Sequence, residues 1–337
     1  MNLKLKDLTF MTISTAIIAT FVSTLLFWQE DANASRSAVA KVSGPVESTT
    51  LDVRQSTMES LEQRNASVQD KRNRLEAEES ALNNKFSALG KQIREYLQQQ
   101  TGTYGFFLFT RRTVGEQRVD KTIGYNQDER FKMASTYKVP VNLYLYRQVA
   151  QKKLNLDEKL VYHSGYYEGG TGSLQYKNPG GSYPIRQLSA MSIRQSDNVA
   201  LNILVGKLGR ENVSKFMQDL GGSGTPQAGT PQGTPKDLVT YMRAVYDFAE
   251  TNPDLGNNLI EDLKNTIFQD RIRKGTPANV PVAHKIGNLG GVVNDVGIVY
   301  ASNPYILAVM SKNVTNDDAA AAVVAHVSKL VWEAIGQ

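Results

Sequence analysis

From Met58 onward the chain steps alternately by three and four through Met58, Leu61, Asn65, Val68, Arg72, Leu75, Glu79, Leu82, Phe86, Leu89, Ile93 and Tyr96. The residues between are mostly Glu, Gln, Arg, Lys, Asn and Ser, so the spacing predicts one long helix with a narrow apolar seam over 51–100. Asn65, Arg72 and Glu79 interrupt the seam and restrict the partners and registers it tolerates. A coiled coil that joins copies of the chain and a single stalk helix leaning on the next domain both satisfy the pattern. Upstream, residues 8–28 (LTFMTISTAIIATFVSTLLFW) carry no charge, and such a run is long enough to cross a bilayer as a helix. Lys4 and Lys6 precede it and Glu30 and Asp31 follow, so 1–7 is expected in the cytoplasm and everything after Trp28 outside. Cleavage of a signal peptide after Ala32-Asn33-Ala34 is the rival reading. Residues 29–50, rich in Ser, Ala, Val and Thr with a Gly44-Pro45 pair, are expected to be a linker.

Past Thr101-Gly102 the pattern changes to that of a compact domain, 101–337. Continuous apolar runs predict buried strands at 104–110, 292–300 and 305–312, with a partner strand at 118–125. Helical periodicity occupies 185–220 and 317–335. Strands at both ends with helices between imply an α/β fold whose sheet is built from both termini, with a helical lobe inserted in the middle.

The composition removes several chemistries. There is no cysteine, hence no disulfide, thiolate ligand or thiol nucleophile. His163, His284 and His326 lack metal-ligand spacing, and neither a metal nor any other cofactor is expected. The formal charge of +5 is spread along the chain without an aromatic-basic stripe, so nucleic acid is not an expected partner.

What remains is hydroxyl chemistry. In Ser135-Thr136-Tyr137-Lys138 a serine is followed three residues later by a lysine. If Ser135 opens a helical turn, the amine stacks beside the hydroxyl and can serve as its base. Pro140 then falls in the first turn, where its missing N–H costs nothing. Ser196-Asp197-Asn198 and Lys285-Ile286-Gly287 come later in that order, the second of them expected at the head of the penultimate strand. SxxK, SDN and KTG together mark class A β-lactamases and penicillin-binding proteins.

The chain resembles the class A β-lactamase family over about 104–337. Tyr125 to Phe131 leading into Ala134-Ser135, Thr234-Pro235-Lys236-Asp237-Leu238, and Arg271-Ile272-Arg273 with Pro277 all look like family segments. The resemblance implies a three-layer sandwich with a terminal antiparallel sheet. It implies Ser135 as nucleophile, Lys138 as its base and Ser196 as proton carrier, with Asn198, Lys285, Gly287 and Asn288 on the substrate side. The backbone N–H groups of Ser135 and Asn288 would form the oxyanion hole. Arg271 is a further candidate for a substrate carboxylate, with an ordinary surface arginine as the alternative.

Two departures stand out. Ile286 replaces the hydroxyl residue of the third motif. The segment after Leu220, LGGSGTPQAGTPQGTP, contains neither Asp nor Glu, whereas the family carries there the glutamate that activates water to free the acyl-enzyme. Tyr166, Tyr167 and Glu168, ahead of a GGTG turn, are either plain loop or a rim over the cleft. The expectation is a membrane-anchored extracytoplasmic serine hydrolase that acylates on β-lactams or peptidoglycan stem peptides and deacylates slowly. A D-Ala-D-Ala carboxypeptidase or transpeptidase, and a non-catalytic wall-binding module on a coiled-coil stalk, remain as alternatives.

Overall fold

The computed structural model describes residues 47–223 and 229–337. The expected cytoplasmic tail, the apolar run 8–28 and the linker as far as residue 46 lie outside the described residues, as do positions 224–228 of the acid-free segment. The first described element is the helix α1, Glu47–Gln98, which begins inside the stretch expected to be linker. The described residues up to Lys71 belong to one compact unit and those from Arg72 onward to another. In the first unit Met58, Leu61 and Val68 are exposed.

The second unit is built on a five-stranded antiparallel sheet. Its strands are β1 (Thr103–Val114), β2 (Gln117–Tyr125), β7 (Val282–Leu289), β8 (Val292–Val299) and β9 (Tyr305–Lys312). They are ordered β2-β1-β9-β8-β7, so the sheet joins the start of the domain to its end. Phe106 stands opposite Val309 and Ala283 opposite Ile298. Every residue of β8 is buried, as expected of a strand covered on both faces. The Lys285 motif corrects one expectation. It sits in the middle of β7, a strand of its own ahead of the two that the apolar runs announced.

One face of the sheet, with Tyr104, Phe106, Leu108, Val282, Val293 and Val309, packs on helix α8 (Asp317–Val331) and on the C-terminal part of α1. Phe86, Leu89, Ile93 and Leu97 of α1 are at most 3% exposed. This end of the seam is therefore part of the domain core, and Lys121 of β2 donates to Glu79 and Asn83 at its edge. Residues 317–336 are apolar and long enough to pass as a membrane span, but half of that stretch is buried in the core.

The other face carries the helical lobe. Its helices are α2 (Lys138–Ala150), α3 (Ile185–Arg194), α4 (Asn198–Leu208), α5 (Arg210–Asp219), α6 (Pro235–Thr251) and α7 (Pro253–Lys264). The expected helical region 185–220 is thus three helices, broken at Ser196-Asp197 and at Gly209. Thr234 and Asp237 form a reciprocal capping box that starts α6 where the chain returns from the acid-free segment.

Candidate active site

The site lies where the edge strand β7 meets the helical lobe. The short strand β3 (Phe131–Lys132) pairs with β6 (Gln232–Gly233), and Ala134 then takes a left-handed φ of 49° that turns the chain inward. Ala134–Tyr137 forms a 3-10 turn rather than the first turn of the α-helix. Residues three apart eclipse in a 3-10 turn, which sets Lys138 directly beside Ser135. The Lys138 N–H donates to the carbonyls of Ser135 and Thr136, and α2 continues from there with Pro140 in its first turn. Asn294 of β8 fastens the turn to the sheet, its Nδ2 donating to the carbonyls of Lys132 and Met133.

Ser196 occupies the break between α3 and α4, also with a left-handed φ, 57°. Non-glycine residues held in this region store strain, and such strain concentrates at functional sites. Asp197 holds the break: one carboxylate oxygen accepts from the Ala200 N–H and caps α4, and the other accepts from the Leu174 N–H. This gives the middle residue of the Ser-Asp-Asn motif a positioning role.

Lys138 Nζ and Ser135 Oγ are 2.8 Å apart. The same amine contacts the Ser196 carbonyl at 2.8 Å, Ser196 Oγ at 3.3 Å and Asn198 Oδ1 at 2.7 Å. From the opposite side Lys285 Nζ donates to Ser196 Oγ at 3.0 Å. The Ser196 hydroxyl therefore stands between two amines, one of which touches Ser135. Burial pushes Lys138 down to about 7, against partial restoration by the charges of Glu168 and Asp197. Burial, followed by the Lys138 charge, drives Lys285 well below the ordinary lysine range. Two ammonium groups around one hydroxyl cannot both hold a proton without cost, and this is the condition that gives a serine a neutral amine as base.

Ser135, Lys138, Ser196, Asn198, Ile286 and Asn288 all line one cleft of about 580 Å³. Gly287 lies behind Ser135, its Cα packed against the turn. Arg271 does not line the cleft. It is buried, and its guanidinium donates to the carbonyl of Asn294. Its neighbour Ile272 donates its N–H to Asp295, which is wholly buried with His284 at 3.0 Å. Burial alone would raise the Asp295 carboxyl, but the His284 charge and hydrogen bond, with Arg271 and the Ile272 N–H, hold it below the usual range. Arg271 and its neighbours form a support beneath Lys285.

Several lining residues carry no motif and were not foreseen: Thr171, Leu201, Asn202, Val205, Arg210 and Phe268. Asn202 comes four residues after Asn198, and that spacing is the one signal that could have put it on the same helix face. Gly229, Thr230 and Pro231 close the cleft from the acid-free segment, and the Met133 N–H donates to the Pro231 carbonyl. Among the described residues no group of three or more His, Asp or Glu is placed to hold a metal ion.

The sequence pattern of the beta-lactamase enzyme family matches residues 88–335. Beta-lactamase SME-1 of Serratia marcescens is 26% identical over 287 residues, covering 75% of this chain and 90% of that protein. A beta-lactamase of Bacillus amyloliquefaciens is 32% identical over 231 residues, covering 59% and 70%. Among solved structures, an L158E mutant of PBP-A in acyl-enzyme complex with penicillin G superposes with a TM-score of 0.68 at 25% identity, over 74% of this chain and 96% of that one. The class A beta-lactamase of the last common ancestor of Gram-negative bacteria (GNCA4) gives 0.65 at 26% identity, over 73% and 99%.

Proposed function

Because the chain belongs to the beta-lactamase enzyme family and is a serine hydrolase of that type, we propose that Ser135 forms an acyl-enzyme with β-lactams or related D-alanyl amides and releases it slowly. The observation that carries this is the unbroken hydrogen-bond path from Ser135 through Lys138 and Ser196 to Lys285. Ser135 Oγ attacks the carbonyl carbon and gives its proton to Lys138 Nζ. The C–N bond breaks, and the nitrogen takes a proton from Ser196 Oγ, which Lys138 replenishes. The developing oxyanion is met by the N–H groups of Ser135 and Asn288. Lys285 faces the substrate's anionic group, whose charge would restore its own.

Slow release is supported by the acid-free segment 220–235, which offers no carboxylate to activate water from that side. Residues 8–28 anchor the protein in the membrane with the hydrolase outside the cell, a reading supported by the flanking charges, and fractionation of cells into membrane and soluble parts tests it. The exposed seam of Met58, Leu61 and Val68 is available for pairing between copies. A D-Ala-D-Ala peptidase acting on peptidoglycan is favoured as second reading by the same missing acid, because a transferring or slowly turning enzyme has little use for fast hydrolysis. Turnover of a stem-peptide mimic against that of a chromogenic β-lactam separates the two. For the shared chemistry the test is labelling with a fluorescent penicillin on a denaturing gel. Wild type takes one label and Ser135→Ala none; label on Ser135→Ala overturns the assignment.

A further inference from the structure

Helix α4 clamps a loop of the opposite cleft wall along one of its faces. Asn198 Nδ2 donates to the Gly169 carbonyl at 2.9 Å, and one turn later Asn202 Nδ2 donates to the Glu168 carboxylate at 2.9 Å and to the Tyr166 carbonyl at 3.3 Å. One turn further Gly206 makes room for Tyr166, whose hydroxyl would stand 2.5 Å from any β-carbon there. Positions 198, 202 and 206 thus seat Tyr166–Gly169 like a rail, and the loop is set by built contacts rather than left free.

That rail delivers a carboxylate. Glu168 is the one acidic residue among the described residues lining the cleft, and the segment 220–235 has none to add. Asn198 reaches the Lys138 amine at 2.7 Å with its Oδ1. Neighbours four apart share one face of a helix, so Lys138 and Glu168 are held by successive positions of the same α4 face, Asn198 and Asn202. Its charge is the first of those that hold Lys138 up against burial. Glu168, Ser135 and Lys138 line the same cleft.

We propose that Glu168 is the general base of deacylation, supplying from the 166–171 loop the carboxylate missing from the 220–235 segment. The proposal rests on the acyl-enzyme chemistry of Ser135. Glu168 takes a proton from the water as the water oxygen bonds to the acyl carbonyl carbon. The tetrahedral intermediate then collapses, the bond from carbon to Ser135 Oγ breaks, and the proton returns from Glu168 through Lys138 Nζ to Ser135 Oγ. The product leaves as the free acid, and every group regains its starting state. The reach through a hydrogen-bonded water, from a base on an exposed loop, keeps the step slow without abolishing it.

The experiment uses the full chain in detergent micelles, labelled to saturation with a fluorescent penicillin and freed of excess reagent, with loss of label followed on gels between pH 5 and 8. Glu168→Gln is expected to take up label within about threefold of the wild-type rate and to lose it at least about tenfold more slowly. Glu168→Asp, which keeps the carboxylate, should recover part of the release rate lost in Glu168→Gln. Release from Glu168→Gln at the wild-type rate overturns the proposal. So does a fall in labelling that matches the fall in release, or a wild type that never sheds its label. A wild type that takes no label at all overturns the acyl-enzyme reading as well, which keeps the two failures apart.

Discussion

Gly287 lies against the backbone of Ser135: a β-carbon built on Gly287 would stand 3.1 Å from the Ser135 nitrogen and 2.7 Å from the Met133 carbonyl oxygen. The edge strand and the nucleophile turn approach this closely because nothing projects between them. The obstruction for any other residue is backbone, which cannot swing aside as a side chain can. Gly287→Ala is therefore expected to displace the 3-10 turn and to lower acylation by about 100-fold, the scale of a misplacement of about 1 Å. Fluorescent penicillin labelling rates, compared at equal folded fraction by thermal melting, check this.

The Lys138 amine, brought down to about 7 by burial, must be neutral to accept the Ser135 proton. Acylation should rise with pH through about 7 and level off above it. Below that point it should fall about tenfold per pH unit, to about one hundredth of the plateau at pH 5. Stopped-flow acylation rates at saturating β-lactam give the profile, and a rate independent of pH between 5 and 8 would remove Lys138 as base.

Asp295 is buried against His284 and accepts from the Ile272 N–H, and burial is overcome by those partners. A carboxyl whose folded value is depressed adds stability above its unfolded value, about 3.9, and that stability is lost as pH falls through the folded value. Asp295→Ala leaves His284 buried without its partner and should cost about 3–5 kcal/mol at pH 7. The gap to wild type should shrink as pH falls below about 3.9, because the unfolded chain takes up a proton there that the folded carboxyl, held lower, does not. Urea unfolding at pH 7 and at pH 3.5 measures both. Arg271 shares this support, so Arg271→Ala should lower stability more than it weakens substrate binding.

Ile93 of α1 is fully buried among Phe86, Leu89 and the sheet. Ile93→Ala should destabilise the hydrolase domain by about 2–5 kcal/mol. Leu61→Ala, at an exposed position of the same seam, should leave the domain's melting temperature unchanged. Equal effects of the two would return the whole helix to the role of a stalk.

These last residues show where sequence was sufficient and where it was not. Periodicity found α1 along nearly its whole length, because a three-four seam requires a helix whatever covers it. It could not say that Phe86 to Leu97 are covered by the chain's own sheet, since an apolar stripe looks the same to a second copy as to β1. The strands β1, β8 and β9 announced themselves as apolar runs because the sheet is covered on both faces. Strand β7 did not, because His284, Lys285 and Gly287 interrupt it with chemistry. Ser135, Lys138, Ser196, Asn198, Lys285 and Asn288 were visible through their motifs; the fold brings five of them to one cleft and buries Lys285 behind it with its amine on Ser196. Arg271 was a candidate only through a family-like segment, with a surface arginine as the alternative, and the structure fits neither: its side chain is buried and donates to the Asn294 carbonyl outside the cleft. Of Tyr166, Tyr167 and Glu168, left open as plain loop or rim, Glu168 lines the cleft; Asn202 and Arg210 carry no motif. Their place in the cleft comes from how the loops pack on α4, which no local pattern encodes.

The most direct test of the acylating pair is a single time course of a chromogenic β-lactam mixed with the purified protein. A burst of about one equivalent of product followed by a slow steady phase is the predicted result, with both phases absent in Ser135→Ala. A trace with no burst and no turnover, or one that survives the loss of the Ser135 hydroxyl, would contradict it.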